Sequence, residues 1–107
     1  MILEAAYLTI DPARADAFEV AFRRASPLIA ASPGYLGHDL QRCLESPGRY
    51  LLLVRWERRE DHTEGFRGSS AYGEWKALLH HFYDPFPVVE HFVAVDLAAP
   101  APSRREA

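Results

Sequence analysis

Residues 35–57 read YLGHDLQRCLESPGRYLLLVRWE, and the reading of this stretch decides the fold. Two apolar-rich runs, Tyr35 to Glu45 and Tyr50 to Glu57, flank Ser46-Pro47-Gly48-Arg49, whose proline and glycine favour a tight turn. The second run alternates strictly. Tyr50, Leu52, Val54 and Trp56 lie on one face, with Leu51 and Leu53 on the other, as in a strand with period two. A β-hairpin is therefore expected at the centre of the chain. A turn of two residues places His38 opposite Glu57; a one-residue bulge places it opposite Trp56.

Outward from the hairpin, each flank supplies one strand and helical segments. On the N-terminal side, residues 2–10 alternate as a strand, with Ile2, Ala6, Leu8 and Ile10 on one face and Glu4 interrupting it. Asp11-Pro12 is a helix start, a capping carboxylate followed by proline at the first helical position. Phe18, Ala21, Phe22 and Ala25 follow at helical spacing, and Pro27 is expected to kink or end the helix. Ser32-Pro33-Gly34 is a break. On the C-terminal side, two short helices are expected over 59–67 and 70–82, the second carrying Tyr72, Trp75, Leu78, Leu79 and Phe82 inward. Asp84-Pro85-Phe86-Pro87 ends it, and residues 88–97 form a fourth strand. The order βαββαβ is a ferredoxin-like α+β plait with a four-stranded antiparallel sheet. Residues 1–97 make one domain, and the tail 98–107 is expected to be disordered.

Both faces of this sheet are apolar. A plait covers only one face with helices, so the second face calls for a partner sheet, and a homodimer is expected. The charge balance is mild, with 12 Lys and Arg against 15 Asp and Glu, and gives no electrostatic reason to expect nucleic acid or an anionic membrane. Cys43 is a single cysteine without a metal or redox spacing. No apolar run is long enough to span a bilayer, and no signal-peptide pattern opens the chain. A soluble, cytoplasmic protein is expected.

Two stretches carry a resemblance. Trp56-Glu57-x-x-Glu60-x-His62-x-x-x-Phe66-x-x-Ser69-x-x-Tyr72-x-x-Trp75 and Pro33-Gly34-Tyr35-Leu36-Gly37, in this element order, resemble the antibiotic biosynthesis monooxygenase family, over roughly residues 2–97. The resemblance implies a dimeric α+β barrel. It also implies a choice among quinol oxidases that use O2 without a cofactor, haem degraders, and proteins of other roles; fold does not choose among them. The haem degraders use an Asn, a Trp and a His where this chain carries Ala6, Phe66 and Lys76. A protonated lysine cannot serve as the iron ligand, so no haem is expected.

Five histidines are available for chemistry. His80 and His81 read most simply as favourable charge at a helix C-terminus. No pair has metal-ligand spacing, and no metal is expected. His38 and His91 each interrupt an apolar strand face. The plainer role for each is a buried, hydrogen-bonded imidazole; the chemical role is a general base near neutral pH. There is no phosphate-binding glycine loop, so neither flavin nor nicotinamide is expected. Within the family resemblance, the expectation is a cofactor-independent monooxygenase oxidising a small electron-rich aromatic with O2. His38 or His91 serves as base, and Ala6, Leu8, Trp56, Phe66, Tyr72 and Trp75 form the pocket. The alternative is a non-enzymatic dimer that binds a small ligand or serves only as a structural protein, with a haem-degrading monooxygenase ranked behind both.

Overall fold

The structure, a computed structural model, describes residues 1–98. Its elements are β1 (Ile2–Thr9), α1 (Ala15–Ala30), β2 (Tyr35–Arg42), β3 (Arg49–Trp56), α2 (Ser70–Leu79) and β4 (Val89–Phe92). A 3₁₀ turn, Pro12–Arg14, leads into α1; a π-helical turn, Asp61–Phe66, precedes α2; a second 3₁₀ turn, His80–Phe82, follows it. The sheet is antiparallel in the order β2-β3-β1-β4, the plait expected from the sequence.

Alternation along the strands sorts their side chains. Ala6 and Leu8 of β1 and Tyr50, Leu52, Val54 and Trp56 of β3 point to the helices and are buried. Phe18, Phe22, Ala25 and Ile29 of α1 and Trp75 and Leu79 of α2 meet them. Phe18 is fully buried among the rings of Phe22, Tyr50, Phe82 and Tyr83. Truncating such a ring to alanine costs about 3–5 kcal/mol. The opposite sheet face has no helix. Leu3, Ala5, Tyr7, Leu51, Leu53, Val88 and Phe92 line a shallow hollow there of about 260 Å³. Tyr7 is 59% and Phe92 49% exposed.

Three local expectations are corrected. Helix α1 continues three residues past Pro27, because that proline lies on the solvent face and the carbonyl it leaves free can bond water. Buried Ala25 and Ile29 hold the helix on either side. His38 faces neither Glu57 nor Trp56 but Val54. β2 stops at Arg42, and Cys43 N–H donates to the Arg49 carbonyl at 2.9 Å, closing a longer loop. Gly48 adopts φ +83° there, and its carbonyl accepts the Ile10 N–H at 2.8 Å; a Cβ would strike that backbone. The bulge lies instead between Tyr35 and Gly37. Finally, β4 has four residues, not ten. Its register pairs Leu3 with Phe92, so β1 runs out of partners just beyond, and Val93, Val95 and Leu97 are exposed. The tail expected to be disordered lies, from residue 99 on, outside the described residues. No helix among them is long and apolar enough to cross a membrane.

Candidate functional site

Glu4 is the residue that breaks the buried stripe of β1, and it is 5% exposed. A carboxylate in that position demands a hydrogen-bond donor. Trp56, at the end of the neighbouring strand, supplies one: its indole N–H donates to Glu4 Oε1 at 2.8 Å. Burial pushes the Glu4 carboxyl up to about 6, against the opposing pull of the Trp56 N–H and the Arg67 charge.

The third member is His62, 4% exposed, carried by the π-helical turn. That wider turn is anchored below by Gly34, whose φ of +83° brings its backbone against Asp61 where any Cβ would clash. π-Turns recur at functional sites because they turn a side chain out of α-helical register. The His62 ring stacks on Trp56 at 5.7 Å between centroids, with Nε2 3.5 Å from Glu4 Oε1. Its Nδ1 shares a 2.8 Å hydrogen bond with Nε2 of His91. Burial, with the charge of Arg67 and any charge on His91 acting the same way, pushes the His62 imidazole down to about 3. Near neutral pH His62 is therefore uncharged and Glu4 is the group close to its titration. His91 pairs with Glu4 across the sheet, which explains how it reaches His62.

These residues stand at the inner end of a cavity of about 60 Å³ between sheet and helices. Glu4, Ala6, Leu8, Leu52, His62, Phe66 and Trp75 form its buried wall; Arg67, Tyr72, His80, Tyr83, Phe86 and Pro87 border it nearer the surface. Of the residues expected to form a pocket, the structure gathers Ala6, Leu8, Phe66, Tyr72 and Trp75 on this lining. Trp56 stands just outside it, stacked on His62 and tilted against Phe66.

The two strand histidines separate. Both face the helices, but His91 joins the Glu4–His62 group, whereas His38 borders a groove between α1 and β2. That groove is larger, about 490 Å³, yet its polar groups are already paired. Arg42 and Tyr50 both bind Glu19, and His38 bonds Ser26 Oγ at 3.0 Å and the Tyr35 hydroxyl. Chemistry, not size, therefore selects the smaller cavity. Glu4 and His62 were not among the expected site residues. The sequence did carry a signal for Glu4, the interruption of an apolar stripe; nothing in the spacing linked His62 to it. Among the described residues, no group of three or more His, Cys, Asp or Glu side chains is arranged to hold a metal ion.

Comparison with known proteins matches this geometry to a group of relatives. The family model for antibiotic biosynthesis monooxygenase matches residues 1–78. The uncharacterized protein YczJ of Bacillus subtilis (strain 168) is 60% identical over 92 residues, which cover 86% of this chain and 97% of that protein. A solved structure of a candidate antibiotic biosynthesis monooxygenase from Bordetella bronchiseptica superposes with a TM-score of 0.83 at 35% identity, covering 88% of this chain and 96% of that one. SnoaB, a cofactor-independent oxygenase from Streptomyces nogalater, shares the fold, with a TM-score of 0.69 at 20% identity and coverage of 89% and 93%.

Proposed function

The chain belongs to the antibiotic biosynthesis monooxygenase family, and from that premise we propose that it is a homodimeric monooxygenase that oxidises a small phenolic ring with O2 and without a cofactor. The observation that carries this reading is a buried carboxylate with a raised pKa, hydrogen-bonded and backed by a neutral histidine, at the end of an aromatic-lined cavity.

A phenolic ring or its keto tautomer needs to lose one proton before it can pass an electron to O2. Glu4 takes that proton: buried at the inner wall, it is a stronger base than a solvated carboxylate. His62 stays neutral, orients the carboxylate through Nε2 and connects through Nδ1 to His91. His91 thus acts through His62 rather than on the ring. His38 has no access to the cavity and holds α1 to β2. Trp75, Phe66 and Tyr72 orient the ring. When the carbon oxidised is a ring methylene, the methylene and one molecule of dioxygen give a ring carbonyl and one molecule of water. Both methylene hydrogens leave in that water with one oxygen atom, the other oxygen becomes the carbonyl, and no outside reductant is consumed. The cavity as it stands is too small for a ring, about 60 Å³, so the ring enters by displacing Phe86, itself 62% exposed.

The dimer rests on the uncovered sheet face. Packing two such faces together would bury Tyr7, Leu53 and Phe92 against their counterparts, in an interface of the obligate class above roughly 2,000 Å². Sedimentation equilibrium at micromolar concentration should show a dimer, and a folded monomer would remove this part of the reading. The activity is tested by O2 uptake with a panel of quinols and anthrones. Turnover should occur without added metal or flavin and fall about 10²–10⁴-fold in Glu4→Gln. Tight ring binding with no O2 uptake would instead mark a ligand-binding protein.

A further inference from the structure

The outer half of the cavity holds polar groups that the proton transfer does not use. Arg67 borders the cavity, yet among the described residues its guanidinium makes no hydrogen bond and no ion pair. Arg42, Arg55, Arg58 and Arg14 are engaged, with Glu19, Asp39, Asp61 and the His81 carbonyl; Arg24, Arg49 and Arg59 share with Arg67 a guanidinium without hydrogen bond or ion pair among the described residues, but of these four only Arg67 borders the cavity. His80 lies on the same lining, and neither of its ring nitrogens has a hydrogen bond among the described residues. Its ring instead meets Tyr72, Tyr83 and Phe86 at 5.9, 5.5 and 5.0 Å. The Lys76 ammonium lies 5.6 Å from the Tyr72 ring centroid. The only carboxylate on the lining is Glu4, at the inner, buried end and already bonded to Trp56. The lining thus carries its one acid on a buried residue and its unpaired donors on residues nearer the surface.

We propose that the ligand of this cavity is an aromatic ring bearing a carboxylate, bound with the ring among Phe66, Tyr72 and Trp75 and the carboxylate at Arg67, with His80 as its second donor. The inference rests on the cavity being the substrate site, and it narrows the substrate to an aromatic acid. A guanidinium matches a carboxylate with two parallel N–H···O bonds, and a half-open site keeps enough of that attraction to select for charge. The same carboxylate placed at the inner end would meet Glu4, so the charge also fixes which end of the ring faces the base.

The test is anaerobic calorimetry with 1,4-dihydroxynaphthalene and its 2-carboxylate, on the wild type, Arg67→Met and Lys76→Met. The acid should bind the wild type roughly tenfold tighter or better than the neutral diol. In Arg67→Met the two should bind within about twofold, through weaker binding of the acid with the diol unchanged. Lys76→Met should keep the preference. Equal binding to the wild type, survival of the preference in Arg67→Met, or its loss in Lys76→Met would overturn the proposal. Failure of both rings to bind at millimolar concentration would overturn it together with the cavity assignment. A preference for the acid with no O2 uptake would leave it standing and remove only the oxygenase.

Discussion

His91 on β4 and His38 on β2 occupy the two edge strands of one sheet, and both turn toward the helices. Each has a hydrogen-bonded imidazole, and burial lowers the pKa of each. What differs is the company. His38 sits between two hydroxyls, Ser26 and Tyr35; Ser26 itself bonds the Phe22 carbonyl, so the ring donates through Nε2 and accepts through Nδ1. Both nitrogens are satisfied by hydroxyls. His91 instead meets a second imidazole that leads to a buried carboxylate. On the proposed function, it is the titratable group one step behind the imidazole that gives His91 a chemical part and leaves His38 a structural one.

The largest expected effect is on turnover. His62→Gln should lower O2 uptake about 10²-fold or more by freeing the Glu4 carboxylate from its orientation, while His38→Gln should leave it within a few-fold. Equal losses in the two variants would erase the distinction between the regions.

Next in size is the pH dependence of stability. His62 is held below its unfolded value, 6.5 against about 3, so its neutral form stabilises the fold above pH 6.5 and that contribution is lost as the pH falls toward 3. Glu4 works the other way: raised from 4.5 to about 6, its contribution is complete below pH 4.5 and lost as the pH rises through 6. The two slopes oppose between 4.5 and 6, so the wild type should be nearly flat there as far as this pair is concerned. Thermal melts across pH 3.5–6.5 should show wild-type stability minus that of His62→Gln climbing by about 1.4 kcal/mol per pH unit. A flat difference would mean that His62 is charged or solvated.

Smaller effects should come from the other groove. His38→Ala takes from the Tyr35 hydroxyl its hydrogen-bond partner and leaves Ser26 Oγ only its bond to the Phe22 carbonyl, and it should cost about 1–3 kcal/mol in denaturant unfolding, with specific activity intact. Ser26→Ala, which removes the bond to the His38 ring together with the local one to the Phe22 carbonyl, should cost about 0.5–1.5 kcal/mol. A variant of either residue that loses activity without losing stability would promote this groove to a site.

The contrast between the two histidines also marks where the sequence stops being informative. The strand faces were readable because Tyr50, Leu52, Val54 and Trp56 obey a period that burial enforces. The aromatic lining was readable in part through the family resemblance, which implies it for Phe66, Tyr72 and Trp75; their spacing alone marks them only as core. The register of His38 was not, since it depends on a loop whose length is set by a carbonyl of Gly48 reaching Ile10, in a different strand's extension. Nor was the link from Glu4 to Trp56, which joins residues 52 positions apart. His62 escaped for a further reason: a π-helical turn has neither the period of a helix nor that of a strand, so no spacing announces where its side chains point.

The stacking of Trp56 over His62, with its N–H on Glu4, has an optical consequence. Indole emission responds to the electric field across the ring, and a carboxylate that gains or loses its charge at hydrogen-bond distance changes that field at close range. The protein therefore carries an unlabelled indicator for the proton at its own inner wall. With Trp75 replaced by Phe, the colour of the remaining tryptophan would follow the ionisation of Glu4, and a ring entering the cavity would register as a displacement of that titration.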